Sequence, residues 1–301
     1  MSIIYKQNHH RQKKISYTEW YGKQMNQEKT GKGGGAMKVA IAQLTATMDK
    51  AINLQKAEEY IAKAKAAGAD FVILPEMYSA PATPKSGVTP AEVAEPMDGP
   101  FVSGLAKAAK EHGVYVVCGV FESIEGDENR AYNTTVFLNR AGELIHAYRK
   151  THLYDAFSYK ESDYIAQGDN PYQVVDTEFG KIGLMVCYEV RFPEIARQFA
   201  LQGADILFVP AGWVAGAMKE DHWETLVRAR AIENTMFICA ADQVGNIFAG
   251  RSMIVDPMGV VMASAGEEEA LVVAELDPER ISRVRGKLPS VANRRPEMYT
   301  N

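Results

Sequence analysis

From Met37 onward, short apolar runs that read as buried strands alternate with stretches of helical periodicity and with two tight-turn signals. Residues 38–44, 71–74, 114–121, 181–186, 206–209, 237–241 and 271–275 read as strands. Apolar residues recur at helical spacing over 52–67, 100–111, 193–201, 223–233 and 278–285, with Gly68 and Gly113 as C-terminal stops for the first two. Asn139-Arg140-Ala141-Gly142 joins 132–138 to 144–148, and Asp256-Pro257-Met258-Gly259 joins 252–255 to 260–263, as hairpins. Strand–helix alternation mixed with hairpins predicts a mixed sheet, or a pair of sheets, covered by helices. No repeat of roughly 20 to 50 residues is visible, which argues against a solenoid. No Pro/Gly/Ser-rich linker divides the body, so one domain is expected over 37–285, followed by an arm over 286–301.

The first 36 residues are polar and basic and lack an apolar core segment, so they do not read as a secretory signal. Lys32-Gly33-Gly34-Gly35-Ala36-Met37 is what a purine-rich ribosome-binding site looks like when translated. Residues 1–36 are therefore expected to be a disordered leader or non-native extension, with Met37 as the native start.

Composition excludes several functions. The 301 residues carry a formal net charge of −5, with no long Lys/Arg block in the body, so neither nucleic acid nor an anionic membrane is an expected partner. No apolar run reaches the roughly 18 to 20 residues of a membrane span. The three cysteines are Cys118, Cys187 and Cys239. An odd count, with two of them inside apolar runs, argues against a disulfide framework and for a reducing cytoplasm.

Three polar residues follow predicted strands, where α/β folds commonly place active-site groups. Glu76 follows Phe71-Val72-Ile73-Leu74-Pro75, Lys150 follows 144–148, and Cys187 follows Ile182-Gly183-Leu184-Met185-Val186. Tyr188-Glu189-Val190-Arg191-Phe192-Pro193 then leads into a helix. A strand, a sharp turn and a helix can expose a nucleophile and aim backbone N–H groups at an oxyanion. Taken singly, each has a plainer explanation: an inert core cysteine, a solvated surface acid, a solvated surface lysine.

Together the three match a known pattern. The chain resembles the nitrilase (carbon–nitrogen hydrolase) superfamily through Leu74-Pro75-Glu76, Tyr148-Arg149-Lys150-Thr151-His152-Leu153, and Gly180-Lys181-Ile182-Gly183-Leu184-Met185-Val186-Cys187-Tyr188-Glu189. His222-Trp223, the run from Arg228 to Asn234, and the run from Gly250 to Pro257 add to the match. The resemblance implies a four-layer α-β-β-α sandwich with mixed sheets that forms a homodimer or higher homo-oligomer, without metal or organic cofactor. It also implies roles: Cys187 as nucleophile, Glu76 as general base, and Lys150 with the backbone N–H of Tyr188 as oxyanion donors, through a thioester on the cysteine. Glu161, in Tyr159-Lys160-Glu161-Ser162, matches a second glutamate that many members carry beside the lysine. His152 and His222 are read as structural, and no metal-site spacing is present.

Residues around the nucleophile sort the branches. Nitrile-cleaving members resemble Cys-Trp-Glu, and carbamoyl D-amino acid hydrolases resemble Cys-Asn-Asp-Arg-Arg; this chain has Cys187-Tyr188-Glu189-Val190-Arg191-Phe192-Pro193-Glu194. That run is similar to the Nit-type and aliphatic ω-amidase group, except that Glu189 stands where the group carries Asp. The implied substrate is a small linear amide bearing a carboxylate, such as an ω-amide of a dicarboxylic or keto acid, or deaminated glutathione. An anionic substrate needs a cation, and Arg191 is the nearest; its other reading is a salt bridge that holds the elbow. Tyr188, Trp213 and Tyr78 are further candidate pocket residues. Hydrolysis of an N-carbamoyl amine, and a catalytically idle interaction protein on the same fold, stand as alternatives.

Overall fold

The computed structural model describes residues 36–83 and 86–299. The expected leader lies outside the described residues, apart from Ala36.

The body opens with β1 (Met37–Gln43), α1 (Lys50–Ala66), β2 (Phe71–Ile73) and α2 (Pro100–His112). Three antiparallel strands follow: β3 (Tyr115–Ile124), β4 (Asp127–Leu138) and β5 (Leu144–Arg149). The second half holds β6 (Val175–Thr177), β7 (Gly180–Leu184), α3 (Pro193–Leu201), β8 (Ile206–Ala211), α4 (Lys219–Asn234) and β9 (Phe237–Asp242). It closes with β10 (Met253–Val255), β11 (Val261–Ser264), β12 (Ala270–Leu276) and α5 (Pro278–Lys287).

Two mixed six-stranded sheets result, in the orders β12-β1-β2-β3-β4-β5 and β11-β10-β9-β8-β7-β6. β1 is parallel to β2 and antiparallel to β12, whose Leu276 sits opposite Met37. The C-terminal strand thus completes the first sheet rather than the second, and couples the two halves of the chain.

Alternation along β1 explains the layering. Val39 and Ile41 face the second sheet, while Ala40 and Ala42 face α1 and α2. Both faces are covered, so the strand reads as a continuous apolar run rather than an alternating one. Between the sheets, Phe71 and Phe137 meet Phe208 with ring centroids 5.5 and 6.2 Å apart. On the far side of the second sheet, Phe199 of α3 and Trp223, Val227 and Ala231 of α4 join the same core. The expected four-layer α-β-β-α sandwich is what the chain forms.

Helix ends follow local chemistry. Asp49 caps α1 by accepting from the N–H groups of Ala51 and Ile52 at 2.9 and 3.3 Å. Gly113 ends α2 in the left-handed conformation, at φ +60°. Several boundaries differ from expectation, and three have a clear local reason. α4 starts one turn early because polar Lys219, Glu220, Asp221 and His222 give no apolar period, although acids in a first turn suit the helix dipole. β6 is a half-exposed edge strand with no periodicity to find. α5 runs through Lys287, so the expected boundary at 286 falls inside it.

Candidate active site

Glu76 lies just past β2, and the backbone there is clasped by β3. Gly119 N–H donates to Pro75 O at 2.9 Å, and Tyr78 N–H donates to Gly119 O at 2.8 Å. Gln243, just past β9, donates its amide to Glu76 O at 2.8 Å. The carboxylate itself takes three donors: Asn133 Nδ2 at 2.7 Å, Lys150 Nζ at 3.0 Å and Gly212 N–H at 2.7 Å. A carboxylate offers about four acceptor sites, so one remains for a further donor.

Lys150 follows β5 and is buried between two acids. Its ammonium donates to Glu76 and to both oxygens of Glu161, at 3.1 and 2.9 Å. Burial opposes the charge, but Glu161 and then Glu76 outweigh it and hold the lysine well above its ordinary pKa. Glu161 opens a short 3-10 turn and is fixed by the N–H of Tyr154 at 2.6 Å.

Cys187 stands where β7 gives way to a 3-10 helix over Cys187–Arg191, with φ +46°. A left-handed conformation at a non-glycine residue is strained and persists only when its surroundings impose it. Glu189 imposes it here. Its fully buried carboxylate accepts from Val186 N–H at 2.8 Å, Thr151 N–H at 2.8 Å, Thr151 Oγ1 at 2.7 Å and the Tyr148 hydroxyl at 2.8 Å. One acid therefore ties the elbow to the segment that carries Lys150. Arg230 of α4 adds a second tie, donating to Val190 O at 2.9 Å.

Burial, and next the adjacent Glu76, push the Cys187 thiol well above its ordinary pKa, with Lys150 opposing. Burial and the Glu76 carboxylate thus favour the protonated thiol at Cys187. Asp242 at the end of β9 is also buried. Burial, and the neighbouring Glu76, raise its pKa well above the carboxylate range, and its Oδ1 accepts from Trp213 N–H at 2.6 Å.

Glu76, Lys150, Glu161 and Cys187 line one cavity of about 240 Å³, together with Tyr188, Arg191 and Trp213. The sequence candidates therefore converge, with one exception. Tyr78 is fully buried in the core between the first sheet and α1 and α2, and it is Met77 that reaches the cavity. A left-handed turn at Met77 (φ +52°) separates the two side chains. Neither His152 nor His222 lines the cavity.

The salt-bridge reading of Arg191 finds no partner. Among the described residues its guanidinium makes no ion pair, and its buried Nε and Nη2 lack hydrogen-bond acceptors. It lies over the Trp213 ring, 4.7 Å from the centroid. The arginine that holds the elbow is Arg230.

Sequence reasoning missed Asn133, Glu189, Asp242 and Lys219. Asp242 carried a usable signal, a polar residue ending an otherwise apolar strand, whereas Asn133 sits among other polar residues of β4 and stands out from none of them. Lys219 opens the polar first turn of α4, and Tyr154, Phe157 and Tyr159 lie in or beside a two-residue hairpin; neither stretch carries a signal. Among the described residues no group of three or more His, Cys, Asp or Glu is arranged to hold a metal ion. No helix among them is long and apolar enough to cross a membrane.

Comparison with known proteins agrees with this geometry. The family model described as carbon-nitrogen hydrolase matches residues 38–286. A deaminated glutathione amidase of Escherichia coli O157:H7 is 38% identical over 259 residues, covering 86% of this chain and 97% of the relative. The crystal structure of Saccharomyces cerevisiae Nit3, a member of branch 10 of the nitrilase superfamily, superposes with a TM-score of 0.76 at 32% identity, covering 85% of this chain and 95% of that one. An amidase from Nesterenkonia sp. AN1, with the acetamide moiety of fluoroacetamide added covalently at its active-site cysteine, superposes with a TM-score of 0.75 at 25% identity, covering 88% and 96%. With a family match over nearly the whole body and a two-sheet fold around a Glu-Lys-Cys cluster, the chain belongs to the carbon–nitrogen hydrolase family of the nitrilase superfamily.

Proposed function

We propose that this hydrolase cleaves the amide of a small ω-amido acid, with Cys187 as nucleophile and Arg191 as the anchor for the substrate carboxylate. The observation that carries the substrate class is Arg191: a guanidinium on the cavity wall with two buried nitrogens that no group among the described residues accepts from. Leaving such donors unmet costs free energy that a bidentate carboxylate would recover. The relative named for deaminated glutathione fits that class.

The chemistry follows from the cluster. Cys187 Sγ attacks the amide carbon while its proton passes to Glu76. The ammonium of Lys150 has three protons. Two can satisfy Glu76 and Glu161, and the third, with the Tyr188 N–H, is available to the developing oxyanion. Collapse breaks the C–N bond, with the proton on Glu76 going to the departing amine. The thioester on Cys187 is then hydrolysed by water that Glu76 deprotonates, which releases the acid and restores the thiol.

Homo-oligomeric assembly and a cytoplasmic setting belong to the same reading. Exposed Met258, Val260 and Met262 flank the hairpin at Gly259, and exposed Ile232 of α4 lies against that glycine. An apolar patch of this kind favours a partner surface. All three cysteines are free and buried, as a reducing compartment allows.

The test is an ammonia-release screen over ω-amido acids, neutral amides, nitriles and N-carbamoyl amines, with Arg191→Ala alongside. A buried charge-assisted contact contributes about 1.5–3 kcal/mol, so Arg191→Ala should raise KM for ω-amido acids roughly 10- to 150-fold. Neutral amides of similar length should lose much less. Equal losses would refute the anchor, and carbon dioxide release from the carbamoyl panel alone would replace the reaction.

A further inference from the structure

Two acids share one ammonium in the catalytic cluster. Glu76, Glu161 and Lys150 are 1%, 5% and 2% exposed, so with both acids ionised a negative charge stays buried in excess. Such a charge needs hydrogen-bond donors in place of the water it has lost. The backbone supplies two: Gly212 N–H donates to Glu76 at 2.7 Å, and Tyr154 N–H donates to Glu161 at 2.6 Å. One neutral side chain donates to both acids. Asn133 Nδ2 lies 2.7 Å from Glu76 Oε1 and 3.3 Å from Glu161 Oε1. Lys150 Nζ lies 3.0 and 3.1 Å from the same two oxygens. The four groups close a ring in which two acceptors alternate with two donors, one charged and one neutral.

The pairing of β4 with β5 builds this ring. Thr134 sits opposite Arg149, and one position further Lys150 N–H donates to Asn133 O at 2.8 Å. Opposed residues on paired strands project to the same face, so Asn133 and Lys150 reach the two acids together. Asn133 is buried but does not line the cavity. Its Oδ1 is buried as well and, among the described residues, has no donor. Turning the amide over would aim that oxygen at two carboxylates, which is worse than leaving it unmet. The amide is therefore held by its nitrogen alone, with its N–H groups given to the acids.

Lone pairs then distinguish the two oxygens of the base. A carboxylate oxygen accepts about two hydrogen bonds. Asn133 and Lys150 fill Glu76 Oε1, whereas Oε2 holds only the Gly212 N–H. Oε2 is thus the oxygen with room for a proton. A second cation in place of the amide would fill Oε1 as well, but it would cancel the negative charge that draws the proton.

Building on the reading of Glu76 as the base for Cys187, we infer that Asn133 is a positioning residue. Its neutral amide occupies Glu76 Oε1 and Glu161 Oε1 together, and so leaves Glu76 Oε2 as the oxygen that exchanges protons with Cys187 and the departing amine.

Asn133→Leu and Asn133→Asp nearly keep the volume and remove the amide. Steady-state kinetics use the panel substrate that the wild-type protein cleaves fastest, with Glu76→Gln as the reference for loss of the base. Asn133→Leu should lose about 10- to 100-fold in kcat, with KM little changed because residue 133 lies outside the cavity wall. Asn133→Asp sets a third acid against Glu76 and Glu161, and at about pH 8 it should be slower than Asn133→Leu. Towards about pH 6 that acid, flanked by two others, takes up a proton and donates again. The ratio of its kcat to that of the wild type should therefore rise as pH falls, while the Asn133→Leu ratio does not rise. A residue that merely fills space would give the reverse order, with Asn133→Asp the milder change and no pH trend. That result, wild-type kcat in both variants, or loss of the folded state in both on thermal unfolding, would overturn the role of Asn133. An inactive Glu76→Gln beside unaffected Asn133 variants would leave the base standing and remove only the positioning role. An active Glu76→Gln would remove the base and this inference with it.

Discussion

Gly119→Ala should disable the site without touching a reacting group. A Cβ built at Gly119 would lie 2.8 Å from Met77 N and 2.9 Å from Glu76 C, and closer still to Glu76 Cα. All three are backbone atoms, and the hydrogen bonds that Gly119 donates to Pro75 O and accepts from Tyr78 N–H prevent easy withdrawal. Restoring ordinary contact at 3.4 Å requires Met77 N to move by 3.4 − 2.8 = 0.6 Å, and the Cα of Glu76 by more. A shift of roughly 1 Å would stretch the 2.7–3.0 Å bonds that hold the Glu76 carboxylate beyond hydrogen-bonding length. Misplacement of that size costs about 100-fold in rate. Overpacking should also cost about 1–3 kcal/mol of stability. Gly104→Ala is the matched control: its Cβ would come within 2.9 Å of Leu54 Cδ1, but the clash is with the end of a side chain between α1 and α2. Steady-state kinetics and thermal unfolding of both variants separate site damage from general strain. A Gly119→Ala enzyme with wild-type kcat/KM, or one whose rate loss is matched by Gly104→Ala, would refute the argument.

Cys187→Ala should abolish turnover with the fold retained, whereas Cys118→Ala and Cys239→Ala should keep activity and lose modest stability, since both thiols are buried in apolar packing. A thioester mass on Cys187 would support the scheme, and turnover by Cys187→Ala would end it. Asp242→Asn addresses the buried acid. Its folded pKa is raised, so above about 4 the unfolded chain ionises while the folded one keeps its proton, and wild-type stability falls as pH rises from there. The amide of the variant does not titrate in either state. Urea denaturation should therefore show the stability of the variant gaining on the wild type from about pH 4 towards neutrality, and a gap constant with pH would mean that Asp242 is ionised in the fold.

Much of the layering was legible in the sequence because strands covered on both faces must be continuously apolar, and helices at a protein surface must be amphipathic. Glu76, Lys150 and Cys187 were legible as polar residues at strand ends, and Glu161 through its motif. Pairing β12 with β1 was not: nothing local distinguishes an edge strand of one sheet from that of the other. Glu189 looked in sequence like a variation at the nucleophile motif; only the fold shows its carboxylate gathering donors from β5, the following loop and the elbow. Tyr78 and Met77 differ by one position, and a left-handed turn sends one into the core and the other to the cavity. The chemistry was written locally, in residues that must be acid, base or thiol. Which cations line the cavity was decided by loops converging from distant parts of the chain, because a side chain's partners depend on three-dimensional proximity that no local pattern encodes.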